Sequence, residues 1–409
     1  MPPRRKRRLP GVFAHRDYTL FWGGAFITNL GSWLQSVALG WLVLTLTNST
    51  FLLGIVGFAQ TIPVLLLGLL GGAIADRSDR RVVLIIAQGA AVVLVVLLTL
   101  LTWFNDVNVA AIIAFAVLTG SVSALSAPAW QAFIKDLVQP DQLRSAIALN
   151  STRFNLSRII GPAIGGWLLA QVGPAGCFAT NAVSYLGVLG ALFLIRTPKP
   201  KPAPYVPLTQ ALNDGLAYAW RDNSIRSLLF VTAAMAFFGF PYGSFMPAFA
   251  RDVLNIGPKG LGTLLTAVGV GAIAGAFASS VRWVGRHPRG AMVAAEITFG
   301  AALCVFSLSV VLPVSLAALV VLGFAMITYL SVANSVLQMN VPDALRGRLM
   351  GIWVLVNTGV TPVGSLILGG SSAAFGISRS LAGSGIALVA AGVIAAWYWS
   401  RLPIATRRT

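Results

Sequence analysis

A train of twelve apolar stretches constrains this chain more than anything else in it. They fall at residues 18–45, 51–75, 82–104, 108–134, 145–171, 174–195, 225–250, 259–281, 290–311, 313–337, 347–372 and 380–400. Each reaches the roughly 20 residues that an α-helix needs to cross a hydrocarbon core about 30 Å thick. Lipid offers no hydrogen-bond partner to backbone amides, so segments this apolar can cross only as helices. The basic residues alternate with the spans. Of the 29 Lys and Arg, 24 sit at the two termini and in, or within two residues of, the gaps after even-numbered spans. Three lie in, or at the edge of, the gaps after odd-numbered spans, and Arg153 and Arg158 fall well inside the fifth. That asymmetry predicts a multi-pass protein of the bacterial inner membrane with both termini in the cytoplasm.

Composition narrows the class further. Hydrophobic residues make up 57% of the chain and charged residues 10%, with a mean hydropathy of +0.82, outside the range of soluble domains. The net charge of +18 would suit a polynucleotide partner, but almost all of it lies at one set of helix ends, where membrane topology explains it. No nucleic-acid partner is expected. The Arg4-Arg5-Lys6-Arg7-Arg8 run reads as a headgroup anchor, since the apolar run behind it is too long for a signal peptide and no small-residue cleavage site follows. Cys177 and Cys304 belong to separate spans and imply neither a disulfide nor a metal. His15 and His287 stand far apart at helix ends, and no loop could hold a catalytic domain. No enzyme, cofactor or metal site is therefore expected, and nothing repeats that would make a channel filter.

The chain is internally duplicated. Pro140-Asp141-Gln142-Leu143-Arg144 returns as Pro342-Asp343-Ala344-Leu345-Arg346, and Gly72-x-x-x-Asp76 returns as Gly275-x-x-x-Ser279. Pro162 with Gly165 and Gly166 matches Pro362 with Gly369 and Gly370 more loosely. Between the copies lies a Pro- and Lys-rich stretch, then a segment with Leu212, Leu216, Ala217 and Trp220 near helical spacing, which reads as an amphipathic surface helix. The expected division is 1–195, an N-terminal six-helix bundle; 196–224, a cytoplasmic linker; and 225–409, a C-terminal six-helix bundle. Such duplication suits a transporter in which two pseudo-symmetric bundles rock about a midplane site.

The segment Gly72-Ala-Ile-Ala-Asp76-Arg77-Ser78-Asp79-Arg80-Arg81 resembles the signature of the major facilitator superfamily between its second and third helices. Asp79 stands where Gly is commoner in that signature. With Pro128-Ala-Trp-Gln-Ala and Asn155-Leu-Ser-Arg158-Ile-Ile-Gly161-Pro162-Ala-Ile-Gly165-Gly166, the chain is similar to the enterobactin-exporter-like branch. The resemblance implies an all-α membrane protein, twelve helices in two bundles, that exports small organic molecules such as siderophores, drugs or metabolites. Import, facilitated diffusion and a non-transporting sensor stay open as alternatives. It also implies that Gly72, Asp76, Arg77, Asp79, Arg80 and Arg81 latch the cytoplasmic side when the protein faces outward. Asp76 could complement the dipole of the eleventh helix, and the arginines could reach Asp136, Asp141 or lipid phosphates.

Superfamily helices 1, 4, 7 and 10 line the cavity. Carried onto this chain they offer Asn29, Trp33, Gln35, Ser121, Phe238, Tyr242, Tyr329 and Asn334. Asn155, Arg158 and Asn357 join them from the fifth and eleventh spans. Arg158 lies near mid-depth, where a cation costs about 2.5–3.5 kcal/mol unless it is paired or wet. Arg153 lies nearer the helix end, where snorkelling and function weigh equally. Glu296 is the one acid well inside a span and the candidate for proton coupling, although its peripheral helix fits packing as well. A cavity without carboxylates favours anionic or neutral polar substrates over cationic ones. The expected partners are thus the bilayer, a small-molecule substrate and a proton, with the chain acting as a monomer. The glycine pairs Gly68/Gly72 and Gly271/Gly275 read as sliding contacts between the halves.

Overall fold

The computed structural model describes residues 11–195, 217–279, 287–341 and 343–401. The basic run at 4–8, most of the linker, Pro342 and the side chains of 343, 344 and 346–348 fall outside that description. Of the expected amphipathic helix, only the turn at 217–221 lies within it. Among the described residues there is no strand.

The first four helices are α1 (Arg16–Thr47), α2 (Thr50–Arg77), α3 (Arg80–Trp103) and α4 (Val109–Leu137). The stretch Leu143–Leu194 is too long for one crossing and breaks at Gly173, whose φ of 68° and following Pro174 end one helix and begin the next. It supplies α5 before the break and α6 after it. The second half holds α7 (Asn223–Val253), α8 (Gly257–Ser279), α9 (Pro288–Leu308), α10 (Leu312–Asn340), α11 and α12 (Ile377–Arg401). Here α11 comprises Asp343–Gly359 and Thr361–Phe375, interrupted ahead of Pro362. With the break at Gly173, the eleven stretches long and apolar enough to cross a bilayer provide the twelve expected spans.

Short polar caps set the boundaries. Ser49, Asp79, Asn108 and Asp222 each precede a helix and accept from its first free backbone amides. Asp79 accepts from the Arg81 backbone N–H at 2.9 Å, which accounts for an acid at the position where the superfamily more often has glycine. Large side chains such as Leu66, Ile86, Trp167, Phe193 and Phe277 lie exposed on the outer surface, as lipid-facing positions do.

The two halves meet over part of their depth only. Call the face bearing Asp76 and Ser279 the basic face. Arg251, at the end of α7, donates to Leu44 O at 2.8 Å and Asn48 Oδ1 at 2.6 Å at the end of α1. The ends of α1 and α7 therefore share the opposite face, and those of α2 and α8 share the basic one, as duplication requires. Near the opposite face the helices approach backbone to backbone. A Cβ on Gly54 would lie 2.6 Å from Ser365 O, and one on Gly166 would lie 2.6 Å from Gly262 Cα and Pro258 O. One apolar core runs through both halves there, with Leu39, Leu42, Val56, Met246, Leu261 and Leu368 among its members. Toward the basic face, the N-terminal half has a separate core of its own, built on Tyr18, Phe21, Leu84, Phe133 and Leu192.

The glycine pairs are reassigned by this geometry. Gly271 and Gly275 pack against backbone of α10 inside the second half, while Gly68 and Gly72 meet nothing within 4 Å. The glycine-to-glycine contacts between halves are instead Gly54 with Gly369 and Gly166 with Gly262. A glycine serves here because any Cβ would hold the backbones apart.

Candidate functional site

Where the halves part, a cavity of about 330 Å³ sits between α1, α2, α5, α7, α8 and α10. It is mainly apolar, with Trp33, Gln60, Tyr242 and Ser244 on its wall and Arg158 as its one charged residue. Arg158 Nη2 is buried without a hydrogen-bond partner. The two ion pairs among the described residues, Arg80–Asp136 and Arg251–Asp252, lie elsewhere. The fold thus holds an uncompensated cation at mid-depth, on the wall of a space large enough to admit a small molecule.

The site is positioned by close packing. A Cβ on Gly161 would lie 2.5 Å from Trp33 Cβ, and Gly165 sits against Leu34, so α5 lies flush on α1 and carries Arg158 past it into the cavity. On the other side, α7 contains two π-helical turns, Met235–Gly239 and Phe249–Val253, with Pro241 and Pro247 between them. Such turns shift the register of side chains and are common at functional sites.

Trp33, Arg158 and Tyr242 line this cavity, and the other candidates stand elsewhere. Gln35 is buried and accepts from Asn181 Nδ2 at 2.6 Å. It lies two residues, about 200° of helix, from Trp33 and so points back toward α6. Phe238 would share a face with Tyr242 on a regular helix, but the π turn separates them. It packs edge-on to Phe237 and lines a hollow formed with α11 and α12. Tyr329 is fully buried, its hydroxyl 3.3 Å from the Thr232 hydroxyl inside the second half. Asn334 accepts from Gln338, Asn155 donates to Ser151 O and Ser121 donates to Val117 O, all within their own helices. Asn357 Nδ2 is buried without a partner, and Asn29 lines a second pocket inside the N-terminal half.

The signature between α2 and α3 separates into bonded arginines and an exposed acid. Arg80 holds Asp136 through a pair of hydrogen bonds at 2.9 Å, and Arg81 donates to the Leu192 and Phe193 carbonyls at the end of α6. These tie α3 to α4 and α6 and complement the α6 dipole. Asp76 is exposed and makes no hydrogen bond or ion pair with a described residue. Glu296 is fully buried in α9 with neither oxygen partnered, away from the cavity between the halves.

Arg251 escaped the sequence reading, although a signal was present. It is one of three cations at the loops of a face that otherwise carries no basic residue. Besides its bonds to Leu44 and Asn48, it is paired with Asp252 at 2.6 Å.

Taken together, this is a membrane transporter architecture: pseudo-symmetric halves, closed on one face around a midplane cavity. The chain belongs to the transmembrane secretion effector family of the major facilitator superfamily, whose family model matches residues 11–407. It is 29% identical to the staphyloferrin A transporter of Staphylococcus aureus, over 90% of this chain and 93% of that protein. It is 28% identical to the multidrug efflux pump Tap of Mycolicibacterium fortuitum, over 91% and 93%. It is 26% identical to the enterobactin exporter EntS of Shigella flexneri, over 90% and 88%. Among solved structures, a bacterial homologue of the human lysosomal transporter Spinster, inward-facing and occupied, superposes with a TM-score of 0.74 at 16% identity, over 95% and 97% of the two chains. The nucleoside transporter NupG also gives 0.74, at 12% identity over 94% and 100%.

Proposed function

We propose that this chain exports small organic molecules carrying anionic or polar groups, siderophore-like compounds among them, by rocking residues 1–195 against 225–409 about the midplane cavity, as a monomer. The distribution of Lys and Arg supports placing the basic face and both termini in the cytoplasm. The conformation described is then the inward-facing one, closed toward the outside. The observation that carries the reading is Arg158, an unpaired cation on the wall of the cavity between the halves. Most of the surrounding wall is apolar, so a carboxylate or other oxyanion would gain strongly there and a cationic drug would be desolvated without a partner. The relatives, a staphyloferrin A transporter, an enterobactin exporter and a multidrug efflux pump, support a transporter of small organic molecules with export as its direction.

Asp76 and the arginines beside it would latch the cytoplasmic side in the opposite state. Glu296 is the remaining candidate for proton coupling. Its isolation within α9 makes it a coupling residue only if a proton reaches the interior of the second half.

The test is transport in inverted vesicles with Arg158→Leu and Arg158→Lys. Arg158→Leu is expected to lose transport of an anionic substrate while the purified protein keeps its thermal stability. Arg158→Lys should recover only part, because a lysine lacks the planar fork that grips a carboxylate. Wild-type transport of every substrate by Arg158→Leu would remove Arg158 as a ligand.

A further inference from the structure

A second polar pocket, of about 390 Å³, lies wholly inside the N-terminal half, among α1, α3, α4, α5 and α6. Its wall carries Arg153, Gln88 and Asn29, with Trp130, Phe154 and Tyr185 supplying ring surface. Arg153 is 6% exposed and Gln88 5%. The Arg153 guanidinium donates from Nη2 to Asn150 Oδ1 at 2.7 Å; Nε and Nη1 are buried without partners. Gln88 Oε1 and Asn29 Nδ2 are likewise buried and unpartnered. Three separate helices therefore bring residues with orphan polar atoms to the wall of one space. Two of those residues offer donors and one offers an acceptor.

Snorkelling does not account for Arg153. It lies ten residues past Leu143, about 15 Å along the helix, and its head stays inside the half instead of reaching the surface. No acid lines the pocket, and neither ion pair among the described residues includes Arg153. Nor does the architecture call for a cation there, because the residue at the duplicated position in α11 is Leu355. A cation kept this deep without a counter-charge is a recurrent mark of a ligand or ion pathway. Access is available from the rim, where Ser123, Ala127 and Gln131 of α4 are exposed. The pocket lies in the seam between α1 and α4, which touch only sparingly.

We infer that this pocket binds an organic carboxylate that also carries a hydroxyl, with the carboxylate on Arg153 and Asn29 and the hydroxyl donating to Gln88 Oε1. The surrounding rings and the volume suit a flat, aromatic acid. The site is distinct from the cavity that holds Arg158, and its occupancy can be measured without any transport.

The test is equilibrium binding of radiolabelled 4-hydroxybenzoate to the purified full-length protein, with 4-hydroxybenzamide as the neutral competitor of the same shape. Saturable binding is expected, with the amide competing at least tenfold more weakly. Arg153→Gln should weaken 4-hydroxybenzoate at least tenfold. Ala127→Phe, which fills the rim and leaves the guanidinium in the chain, should do the same and keeps the test valid if Arg153→Gln fails to fold. Absence of saturable binding to the wild-type protein would overturn the inference. So would loss of binding in Arg158→Gln with Arg153→Gln unaffected, since the acid would then occupy the central cavity.

Discussion

Arg251 clasps the two halves on the face that is closed, so removing it should release that face. Arg251→Ala deletes the bonds to Leu44 O at 2.8 Å and Asn48 Oδ1 at 2.6 Å. Both cross between halves and neither can survive when this face opens. A hydrogen bond to a charged group contributes roughly 1.5–3 kcal/mol in favourable settings. Here the side chain is 23% exposed and already paired with Asp252, so solvent and the neighbouring carboxylate reduce each bond to about 1 kcal/mol. The loss of about 2 kcal/mol bears on one conformation only and shifts the ratio of the two states about 30-fold. A protein spending about nine-tenths of its time closed on this face would fall to roughly one quarter. Nitroxide labels on Gln131→Cys and Ser335→Cys, exposed positions on α4 and α10 toward the basic face, report the change by pulsed electron resonance once Cys177 and Cys304 are replaced. The short-distance population should grow in Arg251→Ala and stay unchanged in Lys259→Ala, which removes an exposed charge from the same face. A distance distribution indistinguishable from wild type in Arg251→Ala would refute the clasp.

Gly166→Val should wedge the closed face apart, because its Cβ would sit 2.6 Å from Gly262 Cα and Pro258 O and backbone cannot yield as a side chain can. The same labels should show loss of the closed state, whereas Gly190→Val, whose Cβ meets nothing within 4 Å, should behave as wild type. Asp76→Asn should leave thermal stability within about 0.5 kcal/mol of wild type, as for a surface substitution, yet abolish vesicle transport; a wild-type transport rate would end the latch proposal. Asp136→Asn should lower stability by about 1 kcal/mol, at the upper end for a partly exposed pair because the guanidinium grips both oxygens, measurable as a lower melting temperature in detergent. Glu296→Gln should melt no lower than wild type, since it removes a buried charge that has no partner; a clear fall would reveal a partner for Glu296 that the packing alone does not suggest.

Much of the fold was legible before any coordinates, because lipid imposes a one-dimensional rule. Twenty apolar residues must be a helix, and the placement of Arg and Lys orients it. The spans, the duplication and the superfamily signature all follow from order along the chain. Even the break between the fifth and sixth spans is local, since Gly173-Pro174 can hardly continue a helix.

Which side of a helix faces the cavity was not legible in the same way. The helices are apolar all round, so lipid and protein interior attract the same residues and periodicity carries little information. Trp33, Arg158 and Tyr242 reach the cavity between the halves. Gln35, Phe238 and Tyr329 turn away from it, through helix phase in the first case and a π turn in the second, while Tyr329 is buried against Thr232. The glycine pairs were visible as motifs, but whether a given pair joins two halves or two helices of one half is decided by backbone approach. Arg153 shows the division most plainly. Order along the chain is enough to embed a cation in the fifth span. That it keeps unpartnered donors beside a polar pocket instead of reaching the surface depends on packing, because three helices must first bring Asn29, Gln88 and Arg153 to one place.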